Sequence, residues 1–260
     1  MTLQQPIHIQ VSEAKVIKSL FITVFTIEIL LVLLDVFVNY GKFTDIGALR
    51  RLCNIAREDG MATWFASTQT LLAGLTAFLV YIISAKLNKA TLGWLVTALF
   101  FIYMAFDDGA QIHERVGTAF KVIASREDGG ILYWILNISP SYPWQLVFVP
   151  IFGGIGLYMS YFLWRELRVS GSRGFMMLAF ACMAIAVGLD FIEGLEKKHP
   201  WNIYTLIRDY YEVRSYTVWH FAKVAEEFLE MFAISLFWLV YTKHLFYLLK
   251  PCGVKVDLSS

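Results

Sequence analysis

Charge is sparse in this sequence. Charged residues make up 17% of 260, against 58% hydrophobic and 16% aromatic, and mean hydropathy is +0.58. A soluble domain of this length has too little interior to hide that much apolar surface, which leaves the bilayer as the solvent. A basic tract is missing and the net charge is +1, which excludes nucleic acid as a partner, because phosphate binding needs a clustered positive face. Cys53, Cys182 and Cys252 are odd in number and scattered, so they define neither a disulfide framework nor a zinc motif. The chain also lacks a G-x-S-x-G turn, a P-loop and a dinucleotide fingerprint. Gly153, Gly154 and Gly156 lie inside an apolar run and cradle no phosphate. No small-residue cleavage site follows the first apolar run, 16–38, which is too long for a signal-peptide core and reads as an uncleaved first span.

What is abundant is long apolar runs. A membrane helix needs about 20 mostly apolar residues, and six stretches qualify: 17–39, 62–85, 91–113, 143–165, 174–196 and 217–248. The expected fold is therefore all-α, a polytopic transmembrane bundle of about six helices forming one integral membrane domain over 1–260, with membrane lipids as its surroundings. "IGALRRLCNIARE" (46–58) reads as an amphipathic interfacial helix and "SPSYPW" (139–144) as a turn into the fourth span. Trp64, Trp144, Trp164, Trp201 and Trp219 fit an interfacial aromatic belt, and His8 and His244 read as interfacial. Lys86, Lys89, Arg165, Arg168 and Arg173 fall in the short connections, with Lys15, Lys18, Lys243, Lys250 and Lys255 on the same side. The positive-inside rule then puts both termini in the cytoplasm.

The acids obey a different rule. With alternating spans, Asp35, Glu58, Asp59, Asp107, Asp108, His113, Glu114, Asp190, Glu193, His220, Glu226, Glu227 and Glu230 all fall toward the face opposite those cations. Positions seven apart on a helix nearly coincide in phase, so Glu28 and Asp35 share a face of the first span, and Asp107 and Glu114 a face of the third. Asp190 and Glu193 are neighbours at i, i+3, and His220, Lys223, Glu227 and Glu230 form a stripe on the sixth span. A charge at membrane depth costs about 2.5–3.5 kcal/mol on insertion scales. These groups therefore need partners, and the expectation is one hydrophilic cavity opening outward.

Carboxylates with imidazoles are a ligand set for a divalent transition metal: iron, zinc, copper or manganese. The expected ligands are Glu28, Asp35, Asp107, His113, Glu114, Asp190, Glu193, His220, Glu227 and Glu230. "EKKH" (196–199) has the i, i+3 spacing of di-iron bundles, next to Pro200. The residues leave other readings open. Lys223 can pair with Glu227, and Arg57 or Arg115 with other acids, in a network that only holds helices in register. Intramembrane acids also mark proton or cation paths.

"AREDGMATWF" (56–65), "FDDGAQIHER" (106–115) and "HFAKVAEEFLEM" (220–231) together resemble a group of uncharacterised bacterial multi-pass membrane proteins. Their motifs read E-D-x4-W-F, D-D-x4-H-E and E-E-x2-E-M. Glu58, Asp107, His113, Glu114, Glu226 and Glu227 occupy the matching positions, and Asp108 stands where the group carries glutamate. The resemblance implies a bacterial inner-membrane location and no activity. Three functions follow as expectations: a metal-dependent membrane protein, acting as an enzyme or not; a proton or divalent-cation transporter or channel; and a non-catalytic subunit of a larger membrane complex. A homo-oligomer is compatible with each.

Overall fold

The computed structural model describes residues 11–89, 91–126, 130, 134, 140–250 and 256–257. His8, Cys252, Lys255 and most of the connection 127–139 lie outside them. Six helices are long and apolar enough to cross a membrane. They are α1 (Glu13–Leu34, extended by a π-helical turn over Asp35–Tyr40), α3 (Met61–Lys86), α4 (Leu92–Ala110), α6 (Pro143–Glu166), α7 (Arg173–Glu193) and α9 (Ser215–Leu249). Among the described residues, three shorter helices, α2 (Gly47–Cys53), α5 (Ile112–Arg126) and α8 (Ile203–Tyr211), sit in the long connections. Near the termini, Val11–Ser12 pairs in parallel with Val256–Asp257 over two residues. The fold is all-α.

Local chemistry sets the helix ends. The Ser12 hydroxyl accepts from the Lys15 amide at 3.4 Å and caps α1. Pro143 opens α6, a position where its missing N–H costs nothing. The third span is shorter than its apolar run suggests. Gln111 adopts φ 55, ψ 41, which stops α4 at Ala110, and the chain restarts as α5. His113 and Glu114 therefore stand on a separate helix, and the seven-residue phase linking Asp107 to Glu114 does not apply. Gly194 and the turn after it end α7 at Glu193. Glu196 and His199 consequently lie in turns, where i, i+3 no longer means one helical face, and the His199 ring accepts from the Trp201 amide at 3.2 Å.

α9 is the axis of the bundle. Of its apolar window 61% is buried, against 11% for α6 at the periphery. The main core joins Ala73, Ala77, Trp94, Ala98, Phe101, Met176, Phe237 and Tyr241 from α3, α4, α7 and α9. Small residues on α3 let backbones approach closely, the usual device where lipid supplies no hydrophobic drive between helices. A Cβ at Gly74 would meet Ile102 and Phe101 at 3.0–3.2 Å, and one at Gly93 would collide with the Phe162 ring. Leu30, Leu79, Leu157 and Phe175 face outward, each at least half exposed, as lipid-facing residues must.

Trp64, Trp164 and Trp201 are exposed as a belt requires, while Trp144 and Trp219 pack edge-on against His113 and Tyr204. α2 lies within the expected interfacial stretch, with Leu49 and Leu52 exposed, but it ends before Ile55, which is fully buried. His244 departs from its expected interfacial place: it is buried and stacks on Trp94 at 4.9 Å.

Candidate functional site

Alternating spans bring the ends of α1, α4 and α7 together with the starts of α3, α6 and α9. The acids expected on one face do gather there, but in three separate groups rather than one.

The first group is a closed pair. Asp35 is fully buried, and its Oδ2 lies 2.7 Å from His220 Nε2. Its Oδ1 accepts from Asn39 Nδ2 at 2.9 Å and from the Ile55 amide at 3.2 Å. Tyr40 and Tyr216 stack on the His220 ring at 5.3 and 5.5 Å, and the Tyr40 hydroxyl meets Thr217 Oγ1 at 2.9 Å. Both Asp35 oxygens are thus committed to tying α1, the loop before α3 and α9 together, which fits a structural clasp better than a ligand. Glu28 stands apart as well, two turns deeper. Its Oε1 accepts from Gln69 Nε2 at 3.0 Å and Ser235 Oγ at 2.6 Å.

The second group aims a histidine. Asp107 is buried, and its Oδ2 lies 2.7 Å from His113 Nδ1 while Oδ1 accepts the His113 amide at 2.9 Å. A carboxylate holding one ring nitrogen fixes the orientation of the other. Asp107 is therefore a positioning group, and His113 Nε2 is the atom left for chemistry. Burial pulls the His113 pKa down, but the hydrogen bond and charge of Asp107, with Glu114 and Asp190 beyond, outweigh it and leave the value raised.

The third group is an acidic chamber built round Lys223. The ammonium lies 2.7 Å from Glu226 Oε1, 3.5 Å from Glu227 Oε1 and 4.0 Å from Glu193 Oε2. Asp190, Glu193 and Glu226 each place one oxygen within 4.8 Å of the others. Gln145 Nε2 donates to Asp190 Oδ2 at 2.8 Å, and Ser67 Oγ donates to Asp108 Oδ2 at 2.6 Å. Glu58, Asp108, Glu114, Glu227 and Glu230 interact electrostatically with one another or with Lys223 across the same space. Among the described residues, the cations reaching into this set are Lys223 and, at its edge, His113. Carboxylates so outnumber cations that the chamber cannot hold them all ionised. It must take up protons, a metal cation, or both.

Its rim shows that balance outside the spans. Burial, then the charge and hydrogen bond of Glu114, push Glu58 from 4.5 up to about 7. Two ionised carboxylates offer only acceptors and repel each other, so the proximity of Glu114 favours the protonated form of Glu58. Burial, then the charges of Glu193 and Asp190, raise Tyr142 to about 12. Asp59, one residue on from Glu58, points away: Arg51 and Arg57 both hold it and keep its carboxyl below the usual range.

Of the ten expected ligands, Glu114, Asp190, Glu193, Glu227 and Glu230 meet in the chamber, with His113 at its edge. Asp107 supports from behind, Asp35 and His220 hold each other, and Glu28 is separate. Glu226 was absent from that set although it lies at i+3 from Lys223, a spacing that signals the contact. Asp108, not Asp107, faces the chamber, a choice fixed by helix rotation. Gln145 and Tyr142 carry no sequence signal, since they arrive from a different element.

No curated protein and no solved structure matches the chain. A family model described as "Domain of unknown function (DUF8692)" matches residues 21–245, which takes in the chamber, the clasp and Glu28, and the chain therefore belongs to that family.

Proposed function

We propose that the chamber is a divalent-cation site, with Asp190, Glu193 and Glu226 as ligands. The observation that carries this reading is the convergence of three carboxylate oxygens from α7 and α9 within 4.8 Å. Oxygens that far apart fit around an ion with bonds of about 2.1–2.6 Å. A set of carboxylate oxygens favours manganese or iron over copper. Lys223 is the built-in competitor: an entering ion displaces its ammonium from Glu226 toward Glu227, 3.5 Å away.

The acidic group lies toward the end of the bundle opposite the basic short connections, which supports an outward-facing site with both termini cytoplasmic, as in a bacterial inner membrane. Metal analysis of detergent-purified protein from metal-replete cells tests the proposal. About one ion per chain is expected, falling several-fold in D190N or E226Q and rising in K223M. Clearly substoichiometric metal in wild type and K223M alike overturns it.

A second reading, proton transfer through the chamber, is favoured by the raised pKa of Glu58 at its rim, where burial and the charge of Glu114 hold a proton. It predicts proton flux in proteoliposomes that E58Q slows, and a leak no greater than that of empty vesicles removes it.

A further inference from the structure

Midway through the membrane, well away from Lys223, the bundle holds a second set of polar groups. Glu28 lies at the centre of the span Glu13–Tyr40, about 18–22 Å of helix rise from either end. Glu28 and Ser235 are both fully buried and Gln69 is 2% exposed. Ser235 Oγ lies 2.6 Å from Glu28 Oε1, Gln69 Nε2 lies 3.0 Å from the same oxygen, and Gln69 Nε2 lies 2.5 Å from Ser235 Oγ. The three side chains come from α1, α3 and α9 and form a closed triangle.

The hydrogens of this triangle can be counted. Ser235 has one, given to Glu28. The Gln69 amide has two, one for Glu28 and one for the Ser235 oxygen. Every donor is then used, yet two buried acceptors, Glu28 Oε2 and Gln69 Oε1, have no hydrogen-bond partner among the described residues. One helical turn away along each helix stand buried apolar side chains, Val24 and Leu31 on α1, Ala73 on α3 and Met231 on α9. Gln69 from α3 and Ser235 from α9 face Glu28, and neither titrates. Asp35, two turns along α1, is already held by His220 and Asn39. The site therefore lacks one positive charge, and its open positions are oxygen atoms.

We propose that Glu28, Gln69 and Ser235 form a mid-membrane site for one monovalent cation, a proton or sodium, distinct from the chamber. A proton on Oε2 supplies the missing donor and neutralises the carboxylate. Sodium does both through Glu28, the Gln69 carbonyl and the Ser235 hydroxyl, a hard all-oxygen set. Apolar burial leaves an ionised, unpaired carboxylate as the costly alternative.

The test uses the full chain in detergent. Thermal unfolding is followed against sodium, with choline as the control, and against pH, for wild type and E28Q. The carboxamide of E28Q brings its own donor and no charge. It should remove a sodium- or pH-dependent shift in Tm that wild type shows, while dependence arising in the chamber stays. Identical sodium and pH dependence in the two proteins overturns the proposal. Should E28Q fail to fold, Q69L, which deletes the amide oxygen, replaces it, and unchanged dependence there overturns the proposal equally. The occupant is read with N,N′-dicyclohexylcarbodiimide, which couples to protonated carboxyls in apolar surroundings. An adduct on the Glu28 peptide that sodium suppresses several-fold identifies sodium. An adduct indifferent to sodium that declines as pH rises identifies the proton.

Discussion

The two halves of α9 solve opposite problems. Its first half carries His220, Lys223, Glu226, Glu227 and Glu230, and each is held by hydrogen bonds or opposite charge from α1, α7 or its own helix. Its second half buries Tyr241 and His244 against Trp94, at ring distances of 5.8 and 4.9 Å, and the Tyr241 hydroxyl, His244 Nδ1 and Trp94 Nε1 have no hydrogen-bond partner among the described residues. One half is assembled by electrostatics and the other by shape. The same helix thus shows what the interior of a membrane protein tolerates. Ring polar atoms stand idle among aromatic faces, whereas Glu226 and Glu227 each turn an oxygen to the Lys223 ammonium.

The contrast can be broken most sharply at Asp35. Asp35→Ala leaves His220 and the Ile55 amide buried without their acceptor, and removing one partner of a buried pair costs about 3–5 kcal/mol. The expected outcome is a large fall in Tm in detergent or loss of folded protein. A change no greater than that of a surface substitution would show the clasp to be incidental. In the shape-built half, Gly93→Ala drives a methyl into the Phe162 ring, and overpacking of this kind costs about 1–3 kcal/mol. The same measurement should place it below Asp35→Ala.

A smaller effect lies in pH. The unfolded chain ionises Glu58 near its ordinary 4.5, but the folded chain holds that proton up to about 7. Stability contributed by this group is therefore complete at low pH, declines as pH rises through that window, and is flat above it. The raised His113 adds a decline that begins at its ordinary 6.5 and ends as pH passes the raised value. Glu58→Gln should make the fall of Tm between about 4.5 and 7 shallower, leaving the portions due to His113 and the other chamber carboxylates; an unaltered profile would deny that Glu58 holds a proton there. Smallest of all should be Tyr241→Phe. Its hydroxyl has no hydrogen-bond partner among the described residues, so deletion should shift stability by no more than about 0.5 kcal/mol, in either direction. A loss above 1 kcal/mol would reveal a partner for that hydroxyl.

Much of this architecture was legible in advance because the bilayer imposes one rule on every span. Runs of about 20 apolar residues located all six helices within a few residues of their observed ends, and alternation placed the acids at one end. The Asp190–Glu193 pair and the α9 stripe followed from helical periodicity. The misreadings share a cause. The third span was extended through His113 because hydropathy is blind to the left-handed turn at Gln111. The expected single cavity became three groups because the sequence gives the face of a residue on its own helix and not which neighbour that face meets.

Composition and periodicity thus determined that this chain is a membrane-spanning helical bundle with acids concentrated at one end, since both follow from the price of putting charge or bare backbone in hydrocarbon. Only the tertiary structure decided that Asp35 clasps His220, that Asp107 aims His113, that Lys223 stands among Glu193, Glu226 and Glu227, and that Glu28 is alone with Gln69 and Ser235. Those pairings depend on the rotation and depth of each helix against its neighbours, set by side-chain packing between residues as far apart as 28 and 235.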